Sequence, residues 1–485
     1  MAVAFKNLRE FLNLLEERDE LRRIRVEVDP HLEITEIADR VMKAGGPALL
    51  FENVKGSDIP FAINLLGSPQ RMAWALGMEE WSELERRLDD LLSMAMGPPP
   101  KSLLGKLQVL NEIIKVGRIG PREVSNAPVH EVFDTENPSL ADLPIPTCWP
   151  LDGGPYITFP LVLTHDPLTG KRNVGLYRLQ KFDDRTLGMH WQLHKGGAEH
   201  WRRSKEERRR MEVAVAIGAD PTLMYAASAP LPPDIDEMVF AGFLRGAPVE
   251  TVQAKTVDIK VPAHAEIVLE GWVDPSESRL EGPFGDHIGY YSLAEPFPVF
   301  HLTAVTRRRD PVFVSTIVGV PPMEDAWIGK ATERLFLPLV RLFVPELVDM
   351  NLPVHGVFHN FCIVSINKRY PGQARKVMHG IWGVGQLMFT KYIIVVDHDV
   401  DVQNLKEVMW RVGANTDPAR DLEQASGPMD HLEFATTTEF FGGKLGIDAT
   451  RKLPQEGFPR EWPPEIKMDD EIVKLVDERW SSYGI

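Results

Sequence analysis

Hydrophobic and polar positions in the first 120 residues follow periods that alternate between helix and strand. The predicted elements are a helix over 5–19, a strand at 24–28, a helix over 34–43, strands at 48–51 and 61–66, and helices after Ser68-Pro69 and over 103–116. Ser68-Pro69 is a helix start, because an N-cap serine is followed by proline at the first helical position. The pattern predicts a small N-terminal α/β domain over residues 1–120.

From residue 121 the apolar pattern changes to many short strands. Residues 121–160 are proline-rich and lack a helical period, so we expect them to be mostly extended. The strands predicted after this segment lie at 161–164, 174–179, 187–194, 212–218, 249–273 and 299–307, with helices over 201–210 and 234–243. Many strands joined by short turns predict an antiparallel barrel as the central domain, residues 121–315.

In the last third, strands and helices alternate. Helices are predicted over 323–345, 372–387 and 405–412, with strands at 362–366 and 392–396. This order predicts a parallel or mixed sheet with helical cover, a C-terminal α/β domain over residues 316–455. The tail, 456–485, is charged and aromatic, and we expect it to lie across a neighbouring surface. The chain as a whole is expected to be a multidomain α+β or α/β protein.

Charge and cysteine content exclude some functions. The chain has 54 lysine and arginine residues against 70 aspartate and glutamate residues, a formal net charge of −16. This argues against a nucleic-acid partner, which needs a basic surface. Only Cys148 and Cys362 occur, so no disulfide framework is expected. No signal segment and no run of about 18 apolar residues is found, which leads us to expect a cytoplasmic protein, at most peripheral on a membrane.

The sequence EGPFGDHIGYY, which begins at Glu281, is the strongest candidate for chemistry. Glu281 and Asp286 flank a Gly-Pro-Phe-Gly segment that suits neither helix nor regular strand. Pro283 biases Gly282 toward extended geometry, and Gly285 allows dihedral angles closed to other residues. Both carboxylates could therefore face one apolar pocket and titrate apart, one as an anion and one as a proton donor near neutral pH. The alternative is a surface turn with two solvated acids.

Three separated side chains of the central region could bind a metal ion: Asn173, His194 and Glu237. An amide oxygen, an imidazole and a carboxylate form a mixed O/N set that favours Mn²⁺ or Mg²⁺ over a thiolate-type zinc site. Each also has a structural explanation, as a turn residue, a satisfied core histidine and a solvated helix face. His190 and His194 have a spacing that invites a zinc interpretation, but the His-Glu-x-x-His pattern is absent.

Arg178 lies in an otherwise apolar predicted strand. Since burying a lone charge is costly, we expect it to pair with a carboxylate of the protein or of a substrate. Strict alternation would place Asn173 and Arg178 on opposite faces of the strand. Either Gly175 forms a bulge, or the two residues contact different sides of one ligand.

Two lysines could contact a phosphate group. Lys195 precedes Gly196-Gly197, where backbone N–H groups can approach a ligand closely. Lys391 opens a predicted buried strand, and a solvated charge at a strand end is the alternative for it.

Beyond these local patterns, the chain resembles the UbiD-type prenylated-FMN-dependent decarboxylases nearly from end to end. The stretches that carry the resemblance are DPHLEITEIAD at 29–39, GGPALLFEN at 45–53, NVGLYR at 173–178, HKGGA at 194–198, AHAEIVLEG at 263–271, EGPFGD at 281–286, DPARD at 417–421 and GIDAT at 446–450. Because these stretches are long and spread along the chain, chance matching is implausible.

The resemblance implies prenylated FMN, supplied by a flavin prenyltransferase, with its phosphate held through Mn²⁺ and often a nearby K⁺. It implies a split-barrel cofactor domain and a C-terminal domain that builds homo-oligomers, as dimers or hexamers. Matched position by position, the metal ligands are Asn173, His194 and Glu237, and the catalytic set is Arg178, Glu281 and Asp286, with Asp286 as proton donor. The matched cofactor contacts are Leu176, Tyr177, Arg178, His190, Trp191, Gln192, Lys195, Gly196 and Lys391.

The implied activity is that of a carboxy-lyase acting non-oxidatively on an aromatic acid. The expected reaction converts 4-hydroxy-3-polyprenylbenzoate to 2-polyprenylphenol in ubiquinone biosynthesis, and a polyprenylated substrate would bring the protein to the membrane surface. The alternatives are a UbiD-type enzyme for another aromatic or heteroaromatic acid, a flavin reductase with unmodified FMN, and a non-catalytic subunit of a carboxylase complex. His190 and Lys195 replace arginines of the ubiquinone enzymes, and Gln192-Leu193 replaces Leu-Ser, which bears on the substrate rather than on the reaction.

Overall fold

The computed structural model describes residues 5–86, 119–192, 196–232, 235–458 and 460–485. The helix predicted over 103–116 lies outside the described residues, and so do the candidate site residues His194 and Lys195.

The N-terminal part is a small mixed sheet with helices packed on it. Its elements are α1 (Leu8–Glu17), β1 (Leu21–Ile24), α2 (Glu33–Lys43), β2 (Ala48–Phe51), β3 (Phe61–Ile63) and α3 (Pro69–Ala75). Helix α3 begins as predicted, because the Ser68 side chain accepts a hydrogen bond from Arg71 N and Pro69 follows it. Strand β1 lies earlier than the predicted strand, since Val26 is 70% exposed and the chain has left the sheet at that point.

The central part is dominated by β-strands. Its elements are β4 (Arg122–Glu123), β5 (Val132–Asp134), β6 (Tyr156–Ile157), β7 (Leu161–His165), β8 (Arg172–Leu176), β9 (Leu179–Lys181), β10 (Thr186–Met189), α4 (Gly196–Glu206), β11 (Met211–Ile217), α5 (Pro221–Ala226), α6 (Glu237–Arg245), β12 (Glu250–Gln253), β13 (Lys260–Pro262), β14 (Ile267–Glu281), β15 (Phe284–Gly285), β16 (Tyr291–Ser292), β17 (Glu295–Arg307) and β18 (Phe313–Val314). Helix α5 was not predicted.

A curled antiparallel sheet of nine strands forms a half-barrel in this part, which confirms the predicted fold class. Its strand order is β6-β9-β10-β17-β14-β11-β7-β8, with β5 paired to β17. The long strands β14 and β17 pair over most of their length, with register shifts after Glu270 and Val273. These irregularities increase the local twist of the sheet, which favours curling. After β17 the chain leaves the half-barrel and returns to the N-terminal sheet, where β18 pairs in parallel with β3.

The C-terminal part is a five-stranded mixed sheet with helices. Its elements are α7 (Glu324–Phe343), β19 (Leu347–Asn351), β20 (Phe361–Ile366), α8 (Gln373–Trp382), β21 (Tyr392–Asp397), α9 (Leu405–Asn415), β22 (Leu422–Pro428), β23 (Phe441–Asp448) and α10 (Asp470–Arg479). The strand order is β19-β20-β21-β23-β22, with β20, β21 and β23 parallel. The mixed sheet is the one that the alternation of strands and helices predicts.

Buried apolar side chains form one continuous core through the N-terminal and central parts, and two smaller clusters lie in the C-terminal part. Burying one Leu, Ile or Phe stabilises the fold by about 1.5–3 kcal/mol, so a core shared by two sheets couples them. The predicted domain boundaries stay a prediction. None of the helices within the described ranges has the length and apolar character needed to cross a membrane.

Candidate active site

Arg178, Glu281 and Asp286, which are distant along the chain, lie in direct contact. Arg178 donates from Nε to Glu281 Oε1 at 2.9 Å and from Nη2 to Glu281 Oε2 at 3.3 Å. It donates from Nη1 to Asp286 Oδ2 at 2.5 Å and from Nη2 to Ser292 Oγ at 3.1 Å. All four side chains are buried, with Glu281 fully inaccessible to solvent. The arginine therefore has the carboxylate partner expected for it, and it has two.

The ends of strands position these groups. Strand β8 ends at Leu176, and β9 begins at Leu179, so Arg178 lies in an irregular segment between them. The pairing of β7 with β8 runs without a shift through Gly175, so no bulge is needed to turn Asn173 and Arg178 toward one cavity. Glu281 is the last residue of β14.

Asp286 is the first residue of the turn in a short hairpin that the sequence did not predict. Residues Phe284–Gly285 pair with Tyr291–Ser292 as two short strands. Gly282, and not Gly285, adopts a positive φ, of 102°. Gly285 is needed for space, because a Cβ there would lie 2.2 Å from Cδ1 of Trp149. The expectations for these two glycines were therefore reversed.

Arg178 sets the charge of both carboxylates. Burial would raise the pKa of Glu281, but the hydrogen bond from His190, together with the charge and hydrogen bonds of Arg178, lowers it to about 2. Burial acts the same way on Asp286, and the Arg178 charge and the hydrogen bond from His287 lower its pKa well below the usual value. The expectation that the two acids titrate apart is wrong, because one guanidinium lies between them and favours the ionised form of each.

His190 orients Glu281 from the other side. Its Nδ1 lies 2.9 Å from Glu281 Oε2, and its ring packs 4.2 Å from that of Phe297 between centroids. Burial and the Arg178 charge lower the pKa of His190, so the neutral ring donates its Nδ1–H to Glu281. The guanidinium of Arg178 also stacks over Phe284, with Cζ 4.3 Å from the ring centroid. Arg178, Glu281, Asp286 and His190 thus form one hydrogen-bonded cluster, and the face of the guanidinium that lies against Phe284 is apolar.

A cavity of about 960 Å³ opens beside this cluster. Residues of the half-barrel and of the C-terminal part line it together. Of the predicted site residues, the cavity is lined by Asn173, Leu176, Tyr177, Arg178, His190, Gln192, Gly196, Glu237 and Asp286. Glu281 is adjacent and lies behind Arg178. One cavity therefore collects most of the predicted contacts for a cofactor and a substrate.

The residues at the Asn173 end fit a phosphate and a metal ion. A Cβ at Gly196 would lie 2.1 Å from Asn173 Oδ1, so the glycine leaves that oxygen accessible. Glu237 is the first residue of α6 and accepts a hydrogen bond from Val174 N at 3.0 Å. Burial raises the pKa of Glu237 to about 7, and a cation beside it would favour its ionised form. The third candidate ligand, His194, lies outside the described residues, within which no cluster of three His, Cys, Asp or Glu ligands occurs.

A donor and an acceptor for a ligand are also present. Trp191 Nε1–H is a donor, and His190 Nε2, in the ring that donates from Nδ1, is an acceptor; both are buried and find no hydrogen-bond partner in the part of the chain that the structure describes. The Tyr177 hydroxyl accepts from Gly197 N at 3.1 Å and from Asn173 Nδ2 at 3.3 Å, which ties the end of β8 to the start of α4. These groups would hold a flavin and its phosphate.

Lys391 is not among the residues that line the cavity. Its Nζ forms an ion pair with Glu433 Oε2 at 2.8 Å, just before β21. Its predicted role as a cofactor contact stays a prediction.

Sequence reasoning did not single out His287, Ser292, Asp325 and His359, which lie at or beside the cluster. Ser292 holds one Arg178 donor, and the other three line the cavity. His287 directly follows Asp286, so its place in the EGPFGDHIGYY sequence was a usable signal. The last two come from the C-terminal part, and no local pattern indicates them.

Models of one family match all three parts of the chain. Their descriptions are 3-octaprenyl-4-hydroxybenzoate carboxy-lyase N-terminal domain, for residues 12–91, Rift-related domain, for 122–321, and C-terminal domain, for 326–449.

Individual relatives match over almost their whole length. An uncharacterised protein of Archaeoglobus fulgidus is 50% identical over 99% of this chain and 98% of its own. The UbiD-class enzyme HmfF of Pelotomaculum thermopropionicum, solved in complex with FMN, is 32% identical with a TM-score of 0.80, covering 97% of this chain and 99% of HmfF. An evolved dimeric form of HmfF was solved with prFMN. The closed form of Sedimentibacter hydroxybenzoicus vanillic acid decarboxylase is 29% identical, with a TM-score of 0.84, covering 98% of this chain and 99% of that enzyme.

Proposed function

The chain belongs to the UbiD family of carboxy-lyases, and from this premise we propose that it decarboxylates an aromatic acid non-oxidatively with prenylated FMN and Mn²⁺. The observation that carries the proposal is the buried Arg178, bound by two carboxylates at the wall of a cavity of about 960 Å³. A cavity with a cation and an anion at its wall, Arg178 and Asp286, suits a substrate that must present a carboxylate and receive a proton.

Decarboxylation leaves an electron pair on a ring carbon, and prenylated FMN, when bound, supplies an electrophilic carbon that accepts it. Arg178 binds the substrate carboxylate, while Glu281 keeps the guanidinium oriented. Phe284 lowers the polarity around the carboxylate, which favours the loss of neutral CO₂. Asp286 delivers a proton to the vacated carbon as general acid.

We propose Asn173, His194 and Glu237 as the Mn²⁺ ligands, with a K⁺ ion nearby. Support comes from the accessible Asn173 oxygen and from the burial of Glu237. The cofactor contacts would be those that line the cavity, together with Trp191, Lys195 and Lys391. A flavin prenyltransferase would supply the cofactor.

The expected substrate is 4-hydroxy-3-polyprenylbenzoate, converted to 2-polyprenylphenol, in keeping with the description of the matching family models. A small hydroxylated or heteroaromatic acid is the second candidate. It is favoured by the polar wall around the cluster, where His287, Asp325, His359, Asp430 and His431 offer hydrogen bonds that a polyprenyl tail could not use. A polyprenylated substrate would bring the protein to a membrane surface.

We also propose a homo-oligomer, a dimer or a hexamer. Apolar side chains of the tail are exposed, including Ile466 at 100%, Met468 at 65% and Trp480 at 53%, and a second copy of the chain would cover them. Light scattering should give a multiple of the chain mass, and truncation after residue 458 should lower it. A monomer at working concentration would contradict the proposal.

The test of the function is to express the protein with a flavin prenyltransferase and identify the bound flavin by mass spectrometry. A panel of aromatic acids, with and without polyprenyl chains, is then assayed for CO₂ release. Unmodified FMN that is bleached by NAD(P)H would instead indicate a reductase. A correctly loaded protein that releases CO₂ from no acid would contradict the proposal.

A further inference from the structure

Asp286 is one end of a row of hydrogen-bonded side chains that leads away from Arg178. His287 Nδ1 lies 2.9 Å from Asp286 Oδ1, and His287 Nε2 lies 2.8 Å from His359 Nε2. His359 lies 72 residues after His287, in the segment just before β20. The neighbouring Phe358 packs on the His287 ring, with centroids 5.4 Å apart. The row therefore connects the half-barrel to the C-terminal part.

The two imidazoles can share only one proton between their facing nitrogens, because a hydrogen bond needs one lone pair as acceptor. Burial would lower the pKa of His287, but the hydrogen bond and charge of Asp286, with the charges of Asp325 and Asp430, raise it. We infer that the ring is charged, because an acceptor faces each of its nitrogens, Asp286 Oδ1 at 2.9 Å and His359 Nε2 at 2.8 Å. In that state Asp286 and His287 form an ion pair in the free enzyme, with the proton on the histidine.

Arg178 links this pair to substrate binding. Four of the five N–H groups of its guanidinium are already engaged, by Glu281, Asp286 and Ser292. A substrate carboxylate that binds Arg178 through two N–H groups must therefore displace one partner. Glu281 is held by two N–H groups and by His190, whereas Asp286 is held by a single contact through Nη1. Asp286 is the partner that gives way most easily.

Resting on the decarboxylase function proposed above, we propose that His287 stores the proton that Asp286 delivers to the substrate carbon, and that His359 replaces this proton after each turnover. His287 and His359 are positioning residues, because both act through Asp286. The family match does not identify such a relay. It follows from the contacts of His287 on both of its nitrogens.

The proton balance is simple. The substrate carboxylate takes the Nη1 contact of Arg178, and Asp286, no longer beside the guanidinium, accepts the proton from His287 Nδ1. When the bond to the carboxylate breaks and CO₂ leaves, its electron pair forms the new C–H bond with that proton. The neutral His287 then regains a proton through His359. One proton is consumed for each CO₂ released.

The first experiment compares His287→Asn and His359→Asn with the wild-type holoenzyme, using the best acid of the panel. His355→Asn is the matched control, because His355 is exposed in the same segment. We expect kcat to fall about 100-fold in His287→Asn and about 10-fold in His359→Asn, the scale of a lost proton-transfer group, with KM within threefold. The solvent deuterium isotope effect on kcat should increase in both, and imidazole should restore part of the rate in His359→Asn.

Wild-type-like kcat and isotope effect in both variants would overturn the relay. If His287→Asn loses its flavin or fails to fold, the comparison is repeated with His287→Gln and His359→Gln, and the flavin content of each variant is measured. If kcat falls in all of these variants while the isotope effect and the pH profile stay unchanged, the histidines have a structural role, and the relay is overturned.

The second experiment measures the protonation state of His287 without turnover. In holoenzyme carrying ¹⁵N-labelled histidine, assigned with His287→Asn, we expect His287 to be doubly protonated at pH 7. A saturated ring acid that cannot react, cyclohexanecarboxylate, should shift the His287 signals toward the neutral form. A neutral His287 in the free enzyme would overturn the proposal. This result is independent of CO₂ release, so a failed relay and a failed decarboxylase assignment are distinguishable.

Discussion

Replacing Asp286 with asparagine keeps the shape of the side chain and removes its charge and its ability to carry a proton. The amide oxygen of the new side chain can still accept from Arg178 Nη1, and Glu281 still holds the guanidinium through two N–H groups. Asp286 faces Arg178 and His287, whereas Asn173 and Glu237, two of the proposed metal ligands, meet at strand β8, where Glu237 accepts from Val174 N. We therefore expect Asp286→Asn to abolish turnover and to retain the flavin.

The size of the effect follows from the contacts. A positioned general acid contributes about 10²–10⁴-fold to a rate, which corresponds to about 3–5 kcal/mol of activation free energy. We expect the upper part of this range, because Asp286 is the only carboxylate among the described residues that contacts both Arg178 and His287. The folded state should lose only about 1–3 kcal/mol, the cost of a weakened buried hydrogen bond, since Glu281 still neutralises the arginine.

The assay measures CO₂ release and flavin absorbance on the same preparation, with thermal unfolding as a check on the fold. Tyr290→Phe serves as the control, because Tyr290 is in the same turn and is 72% exposed. Asp286→Asn with loss of flavin together with activity would mean that Asp286 is a structural residue. Retention of more than a tenth of the wild-type rate would refute its role as the acid.

Three further predictions concern the metal, the pH and the hairpin. Glu237→Ala should release manganese and flavin together, measured by metal analysis and absorbance, and a variant that stays yellow with full manganese would contradict the ligand assignment. Folding lowers the pKa of Glu281 from 4.5 to about 2, so the ionised carboxylate should stabilise the folded state by roughly 3 kcal/mol. This stabilisation should be complete above pH 4.5 and should be lost as the pH falls toward 2. Denaturant titrations should show the loss of stability in the wild-type protein, and Glu281→Gln should not show it. Gly285→Ala should cost about 1–3 kcal/mol, because the new Cβ would meet Trp149 at 2.2 Å; Gly120→Ala, with no atom within 4 Å, should be neutral in thermal unfolding.

Local elements were predictable where neighbours in sequence decide them. The Ser68 cap of α3 is an example, since a side chain and a backbone N–H three residues apart form it. The helix that starts at Glu237 was predicted a few residues early, because Asp236 rather than an earlier residue is its N-cap. Helix α5 was missed because all six of its residues are buried, which leaves no polar face to give a helical period.

The sequence identified the candidate residues by their type, but it did not show which side chains surround each of them. The Glu281 and Asp286 pair stands out in the sequence, and their meeting with Arg178 follows from the ends of β8 and β14. The ion pair of Lys391 with Glu433 joins residues that no periodic pattern relates. His287 was visible beside Asp286, but its partner His359 was not.

The amino-acid order by itself determined the strand-rich centre, the mixed C-terminal sheet, the helix caps and the identity of the acids, the arginine and the candidate metal ligands. Only the tertiary structure decided that one guanidinium lies between both acids and keeps both ionised, and that a histidine from the C-terminal part reaches His287. The physical reason is that charge interactions depend on separation in space and on burial. The spacing of residues along the chain determines neither their separation in space nor their burial.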